Sequence, residues 1–325
     1  MPTPDVVAWS VPMRTRFRGL LVRDGALVRG EAGWGEFSPF WEYDDHEASR
    51  WWRAAREAAD LGWPAPLRER VPVNVTVPAV SPQRAHAIVT ASGGCRTAKV
   101  KVAEPGQTPA DDEARLEAVR DALGPGGAIR IDANTAWDVE TAATLLAGYD
   151  RAAGGLEYAE QPVAGVDDLA ALRRRTHVPI AADESIRRSD DPMAVVRKAA
   201  ADVVVLKVQP LGGVRACLEL AERLGLPAVV SSALESSVGL AAGVALAAAL
   251  PELPYACGLA TAQLFTDDLV AQPLLPQDGA IVVRRPEPDP AALARNAAPA
   301  ELAVRWAERT ARVAQIAGDG RARTA

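Results

Sequence analysis

Eight short, β-branched apolar runs recur along this chain, spaced 23 to 31 residues apart. They begin near Val73, Thr97, Ala128, Leu156, Ile180, Val203, Ala228 and Tyr255. Between them lie stretches of Ala, Leu, Arg and Glu at helical spacing, such as DDEARLEAVRDALG and RACLELAERLG. Strands alternating with helices at this period read as βαβ units on a parallel sheet, and eight of them read as a TIM-type barrel. An open doubly wound sheet carries five or six strands and a glycine-rich first turn, and no GxGxxG follows any of these runs.

The part before the barrel differs in composition. Six of the eight Trp and three of the four Phe fall within residues 1–63. Candidate strands there are Val6–Ser10, Leu20–Arg23, Ala26–Arg29 and Gly33–Glu36, followed by a helix over His46–Gly62. Ala280–Val283 reads as one more strand and Ala291–Ala317 as mostly helical. The expected division is an N-terminal α+β module over 1–70, a barrel over 71–280 and a C-terminal segment over 281–325.

Charge and cysteine usage exclude several function classes. With 42 acidic against 36 basic side chains and a net charge of −6, a nucleic-acid partner is not expected. No apolar run reaches the roughly eighteen residues of a membrane span. The first residues show neither a basic leader nor an apolar core, and the three cysteines form no CxxC pair. A cytoplasmic location is expected, with no disulfide framework and no thiolate metal site. The oligomeric state is left open by the sequence.

Active sites of such barrels lie at the C-terminal strand ends. Read in order, those ends carry Lys99 and Lys101, then Asp132 with Asn134 beyond it, then Glu160, Asp183 and Lys207. A lone Asp at a strand end is more often a helix cap. Three carboxylates on consecutive strands, with no His or Cys among them, instead match the hard oxygen ligands of Mg²⁺. Lys99 and Lys101 alternate with Ala98, Val100 and Val102, so both lysines face the barrel interior. Strands two and six of a ring of eight face each other, which sets Lys101 across the mouth from Lys207. Lys99, a layer deeper, would depress the Lys101 pKa, and a lysine base needs a value of roughly 7–8. Two amines flanking a metal-bound carboxylate suit proton abstraction α to it, with a carboxylate substrate of small size. Ser231 and Ser232 end the seventh strand and are equally candidates for a substrate contact or a helix cap. PLGG after Lys207 reads as a tight turn rather than a phosphate loop. His46, His86 and His177 lie away from the strand ends, which leaves no histidine base.

At KVK (99–101), DAN (132–134), EQP (160–162), ADES (182–185) and VLKVQPLGG the chain resembles the enolase superfamily, in its muconate-lactonising subgroup. GWGEFSPF (33–40) is similar to the capping-domain segment of that family, so the resemblance covers nearly the whole chain. It implies a modified TIM barrel, (β/α)7β, with an α+β N-terminal capping domain completed by the C-terminal segment. SSALESSVG (231–239), VPM (11–13) and Gly258 resemble the branch that dehydrates 2-succinyl-6-hydroxy-2,4-cyclohexadiene-1-carboxylate to o-succinylbenzoate on the way to menaquinone. The resemblance implies one Mg²⁺, replaceable by Mn²⁺, on Asp132, Glu160 and Asp183. It implies Lys101 as the base that also protonates the departing hydroxyl, and Lys207 as stabiliser of the ene-diolate. Substrate-side positions are then Lys99, Arg130, Asn134, Ser231 and Gly258. Racemisation of an N-acylamino acid or epimerisation of a dipeptide would use the same two lysines. A non-catalytic metal-binding scaffold is the remaining alternative.

Overall fold

Residues 6–319, which the computed structural model describes, open with an antiparallel meander of β1 (Val6–Phe17), β2 (Leu20–Gly30) and β3 (Gly33–Phe37). The runs expected as two strands at Leu20–Arg23 and Ala26–Arg29 are one strand. The β1 ladder continues through Ser10–Asp24 and Trp9–Gly25. Gly25 permits this, because a β-carbon there would sit 2.8 Å from the Trp9 ring. Helix α1 (Asp45–Asp60) starts where Asp44 accepts a hydrogen bond from the Glu47 amide at 2.7 Å. It lays Trp51, Trp52 and a row of alanines against the meander.

The barrel strands follow β4 (Arg70–Pro72). They are β5 (Val75–Val77), β6 (Thr97–Lys101), β7 (Ala128–Asp132), β8 (Tyr158–Glu160), β9 (Ile180–Ala182), β10 (Val203–Leu206) and β11 (Ala228–Val230). All seven pair in parallel and in chain order. Each is followed by helix. These are α2 (Pro82–Thr90), α3 (Pro109–Leu123), α4 (Val139–Ala153), α5 (Val166–Arg173), α6 (Glu184–Arg187) with α7 (Ala194–Arg197), α8 (Val208–Leu211) with α9 (Val214–Leu224), and α10 (Ser237–Ala249). Thr108 and Asp111 cap α3 reciprocally, and Gly154, in the left-handed region, ends α4.

The eighth run, expected as a strand near Tyr255, is shorter than the others. Residues 256–258 join the two sheet edges by single bridges, Val73–Cys257 and Ser231–Gly258. The Cys257 amide bonds to the Pro72 carbonyl at 2.7 Å and the Gly258 amide to the Val230 carbonyl at 2.8 Å. The chain passes Ser231 so closely there that position 258 requires glycine, since a β-carbon would lie 2.6 Å from Ser231 Oγ. The chain then forms β12 (Ala280–Val282), which pairs antiparallel with β4, so both expected module boundaries fall in this ribbon. It ends in α11 (Pro290–Arg295) and α12 (Ala300–Asp319). The helical stretch expected over Ala291–Ala317 is thus two helices.

Three apolar clusters result, the smallest being Tyr158, Ala181, Val203, Val205 and Val229 on the inner face of the barrel. Outward strand residues such as Val100, Ile131 and Leu206 pack under the barrel helices. The aromatic excess of the first 63 residues forms a separate core with Trp306 of α12 and Phe265. Phe37 meets Trp52 and Trp306 edge-on at 5.5 and 5.8 Å between ring centroids. Among the described residues no helix is long and apolar enough to cross a membrane.

Candidate active site

Period-two alternation puts Lys99, Lys101, Asp132, Glu160, Asp183, Lys207 and Ser231 on the inner face, at or just past their strand ends. In register, Lys99 stands beside Arg130, Lys101 beside Asp132, and Asp132 beside Glu160. Asp132, Glu160 and Asp183 are buried to within 1% of full burial.

The charges interlock. Lys99 Nζ lies 3.1 Å from Asp132 and 3.0 Å from both oxygens of Glu160. Lys101 Nζ donates to Asp132 Oδ2 and to Asn134 Oδ1, each at 2.5 Å. Lys207 Nζ donates to Asp183 Oδ2 at 2.5 Å, and Arg187 Nε to Asp183 Oδ1 at 3.0 Å. Burial opposes a charge on each of these groups, and the outcome depends on neighbours. Around Lys99 the Glu160 and Asp132 carboxylates outweigh desolvation and hold the ammonium well above its usual range. Lys101 goes the other way: desolvation, helped by the Lys99 charge and opposed by Asp132, lowers its pKa. Against desolvation, the Lys101 and Lys99 charges hold Asp132 well below the carboxylate range. Glu160 is pushed up by desolvation and by the Asp132 charge, with Lys99 opposing.

A cavity of about 290 Å³ opens above this layer. Lys99, Lys101, Asp132, Asn134 and Lys207 line its floor, and Ser231 and Gly258 line its wall. The cap roofs it with Phe17, Phe40, Tyr43 and Trp51. Lys101 Nζ stands 5.6 Å from the Phe17 ring centroid. Arg130 is not among these residues. It is completely buried a layer below Asp132, bound to Glu157, Asn74, the Tyr158 hydroxyl and the Ala256 carbonyl. The pleat turns it inward, but at the barrel floor, where it joins Asn74 to the Ala256 carbonyl and lines no part of the cavity.

Whether the carboxylates suit a metal is tested by their chemistry. They are hard oxygen donors on adjacent strand ends, sealed from water, with Lys99 standing where two of them share one positive charge. Glu184 Oε2, buried beside Asp183, has no hydrogen-bond partner. Among the described residues, no three acidic, imidazole or thiol groups are already gathered tightly around one point. The expected convergence is therefore one of strand ends, with lysines and Arg187 holding the carboxylates. The donor set fits a hard divalent cation.

Sequence reasoning missed three contributors. Arg187, one helical turn after Asp183, ties that carboxylate to Glu184 at 2.6 Å and to the Tyr43 hydroxyl of the cap at 3.0 Å. Gln161, of EQP, accepts the Asp183 and Ser185 amides at 3.0 and 3.1 Å. Glu36, of GWGE, accepts amides at the start of α10. Their signals were present as short motifs, but nothing local says which partner lies across the fold. PLGG is a turn, as expected: the Glu57 carboxylate of α1 takes the Val214 amide at 2.6 Å, in the place where a phosphate would sit.

Residues 8–59 match the description Enolase N-terminal domain-like and residues 83–288 match Enolase C-terminal domain-like. An o-succinylbenzoate synthase of Thermobifida fusca (strain YX) is 67% identical over 278 residues, covering 86% of this chain and 87% of that protein. One from Mycolicibacterium smegmatis is 54% identical over 300 residues, covering 92% of each. Among solved structures, muconate lactonizing enzyme from Pseudomonas fluorescens superposes with a TM-score of 0.77 at 21% identity, covering 90% of this chain and 98% of that one. An N-succinyl Arg/Lys racemase from Bacillus cereus superposes at 0.75, also at 21% identity, over 90% and 97%. At that identity the two structures speak for the fold alone.

Proposed function

From the premise that this chain belongs to the enolase superfamily, in its muconate-lactonising group, we propose how its residues divide the work of one reaction. That reaction is the syn-dehydration of 2-succinyl-6-hydroxy-2,4-cyclohexadiene-1-carboxylate to o-succinylbenzoate, through an ene-diolate, in menaquinone biosynthesis. The chain is a lyase that works with a divalent cation; the finer assignment is one Mg²⁺, with Mn²⁺ able to substitute, on Asp132, Glu160 and Asp183. When bound, that cation supplies the positive charge that offsets the second negative charge developing on the substrate carboxylate.

Lys101, neutral, removes the proton α to the ring carboxylate, and the C–H electrons move into the carboxylate. The resulting ammonium then gives that proton to the β-hydroxyl. The C–O bond breaks, water leaves, and the ring becomes aromatic. One amine serves both transfers, so proton and hydroxyl leave from one face. Lys207 stays protonated opposite and stabilises the ene-diolate. Lys99 keeps Asp132 and Glu160 compensated and lowers the proton affinity of Lys101. Asn134, Ser231 and Gly258 bound the substrate, and the aromatic roof excludes water from the ring. The cap over 1–70, the barrel over 71–280 and the segment over 281–325 form one working unit, acting in the cytoplasm on a small carboxylate with no nucleic-acid partner.

The observation that carries this reading is the 67% identity to an o-succinylbenzoate synthase over 86% of the chain, with Lys101 and Lys207 lining one cavity. The test offers purified protein with Mg²⁺ the cyclohexadiene substrate and, separately, N-succinyl amino acids in D₂O. Formation of o-succinylbenzoate is expected. Its absence, together with rapid α-deuterium uptake by the N-succinyl amino acids, would replace dehydration with racemisation.

A further inference from the structure

The wall of the cavity is set by residues that lie outside it. Ser231–Leu234 form that wall and run directly into the start of α10. A helix start leaves amides that need acceptors, and here they come from other parts of the chain. Glu36, on β3 of the cap and 2% exposed, accepts from the Ser236 amide at 3.1 Å and the Gly239 amide at 3.2 Å. Ser38 Oγ at 2.7 Å and Ser236 Oγ complete its shell. Asp268, beyond the barrel, takes the Ser237 amide at 3.1 Å.

Leu234 needs such support. Its φ of +63° is left-handed, unfavourable for a γ-branched residue and kept only where the surroundings dictate it. Arg23, a buried residue of β2, donates to the Leu234 carbonyl at 3.0 Å and to the Ser38 carbonyl. The Leu234 side chain packs into the cap's aromatic core. At Gly239 a β-carbon would meet the Glu36 carboxyl carbon at 2.8 Å and the Gln209 amide nitrogen at 2.9 Å. Gln209 lies two residues after Lys207, so the same junction abuts the segment that carries the second lysine.

We propose that Glu36 is a positioning residue of the active site: reaching from the cap into the start of α10, it holds the Ser231–Leu234 wall in its substrate-binding shape. The expected kinetics rest on the dehydratase reading. Burial pushes the Glu36 carboxyl up to about 7 against the Ser236 and Ser38 hydroxyls that lower it. Its oxygens still accept both amides, whereas a side-chain amide in its place would present a donor to donors. Loss of this hold loosens the wall without touching either lysine, so it acts on binding more than on chemistry.

The experiment compares wild type with Glu36→Gln, with the milder Ser236→Ala, and with Asp289→Ala, which removes the cap of remote α11. It reads kcat and KM for o-succinylbenzoate formation, and amide exchange over 231–239 without substrate. Glu36→Gln is expected to raise KM about tenfold while kcat falls less than about threefold, with faster exchange over 231–239. Ser236→Ala moves both in the same direction by less, and carries the test if Glu36→Gln fails to fold. Asp289→Ala is expected to lower Tm with KM unaltered. A Glu36→Gln or Ser236→Ala protein that loses Tm yet keeps wild-type KM and wild-type exchange over 231–239 overturns the proposal and leaves Glu36 as structural glue. Wild type that forms no o-succinylbenzoate would strike the dehydratase reading instead, since the exchange comparison needs no turnover.

Discussion

Lys101 and Lys99 differ by two positions and by opposite pKa shifts. A base must be neutral, so kcat/KM should rise with pH through the Lys101 pKa. Because that pKa is lowered, the rise should lie below the roughly 10.4 of free lysine. Lys99→Met removes a neighbouring positive charge that lowers Lys101, so the ascending limb should move to higher pH; a limb that stays in place or moves down would separate the two amines. Lys101→Ala should leave less than about 1% of turnover with metal binding intact, and Asp183→Asn should weaken binding about tenfold or more. Calorimetric titration with Mg²⁺ or Mn²⁺, alongside the product assay, checks both. Alternation along TAKVK was enough to turn both lysines inward. The same alternation turned Arg130 inward too, but pleat alone says which face a residue occupies and not how deep it sits.

The order of the barrel elements was legible because each strand–helix unit carries its own periodicity. The eighth position was not, since residues 256–258 make single bridges on each side, which apolar patterning cannot distinguish from a full strand. The PLGG turn shows a second limit. Its glycines signal a close approach, but only the fold says that the approaching group is the Glu57 carboxylate from α1. Glu57→Ala should cost about 1–2 kcal/mol, as other helix-cap losses do. Urea unfolding would show this as a lower midpoint at unchanged slope. No change in the midpoint would mean that water satisfies the α9 amides equally well.

At the scale of the molecule, the cap supplies the cavity roof, and α12 supplies part of the cap core. Trp306, completely buried, packs on Phe37 and Trp41 and donates to Asp24 Oδ1 at 2.8 Å. Trp306→Ala should destabilise by about 3–5 kcal/mol, the usual cost of emptying so large a buried site. Since Phe17, Phe40 and Tyr43 belong to the same cap, activity should fall at the temperature where the cap core melts; activity outlasting that melting would show the roof to be dispensable. The aromatic excess of the first 63 residues already marked a separate module, without telling which distant helix would complete it. Sequence alone determined the strand–helix repeat, the inward lysines, the acidic strand ends and the family they belong to, because each is written within a few neighbouring residues. The tertiary structure alone decided that Arg130 lies at the barrel floor, that Arg187 joins Asp183 to Tyr43 of the cap, that Gln161 accepts the Asp183 amide, and that Glu36 and Arg23 of the cap hold the cavity wall. Those pairings join residues up to about two hundred positions apart, and such contacts are chosen by packing and by the need of buried polar groups for partners, neither of which leaves a local pattern.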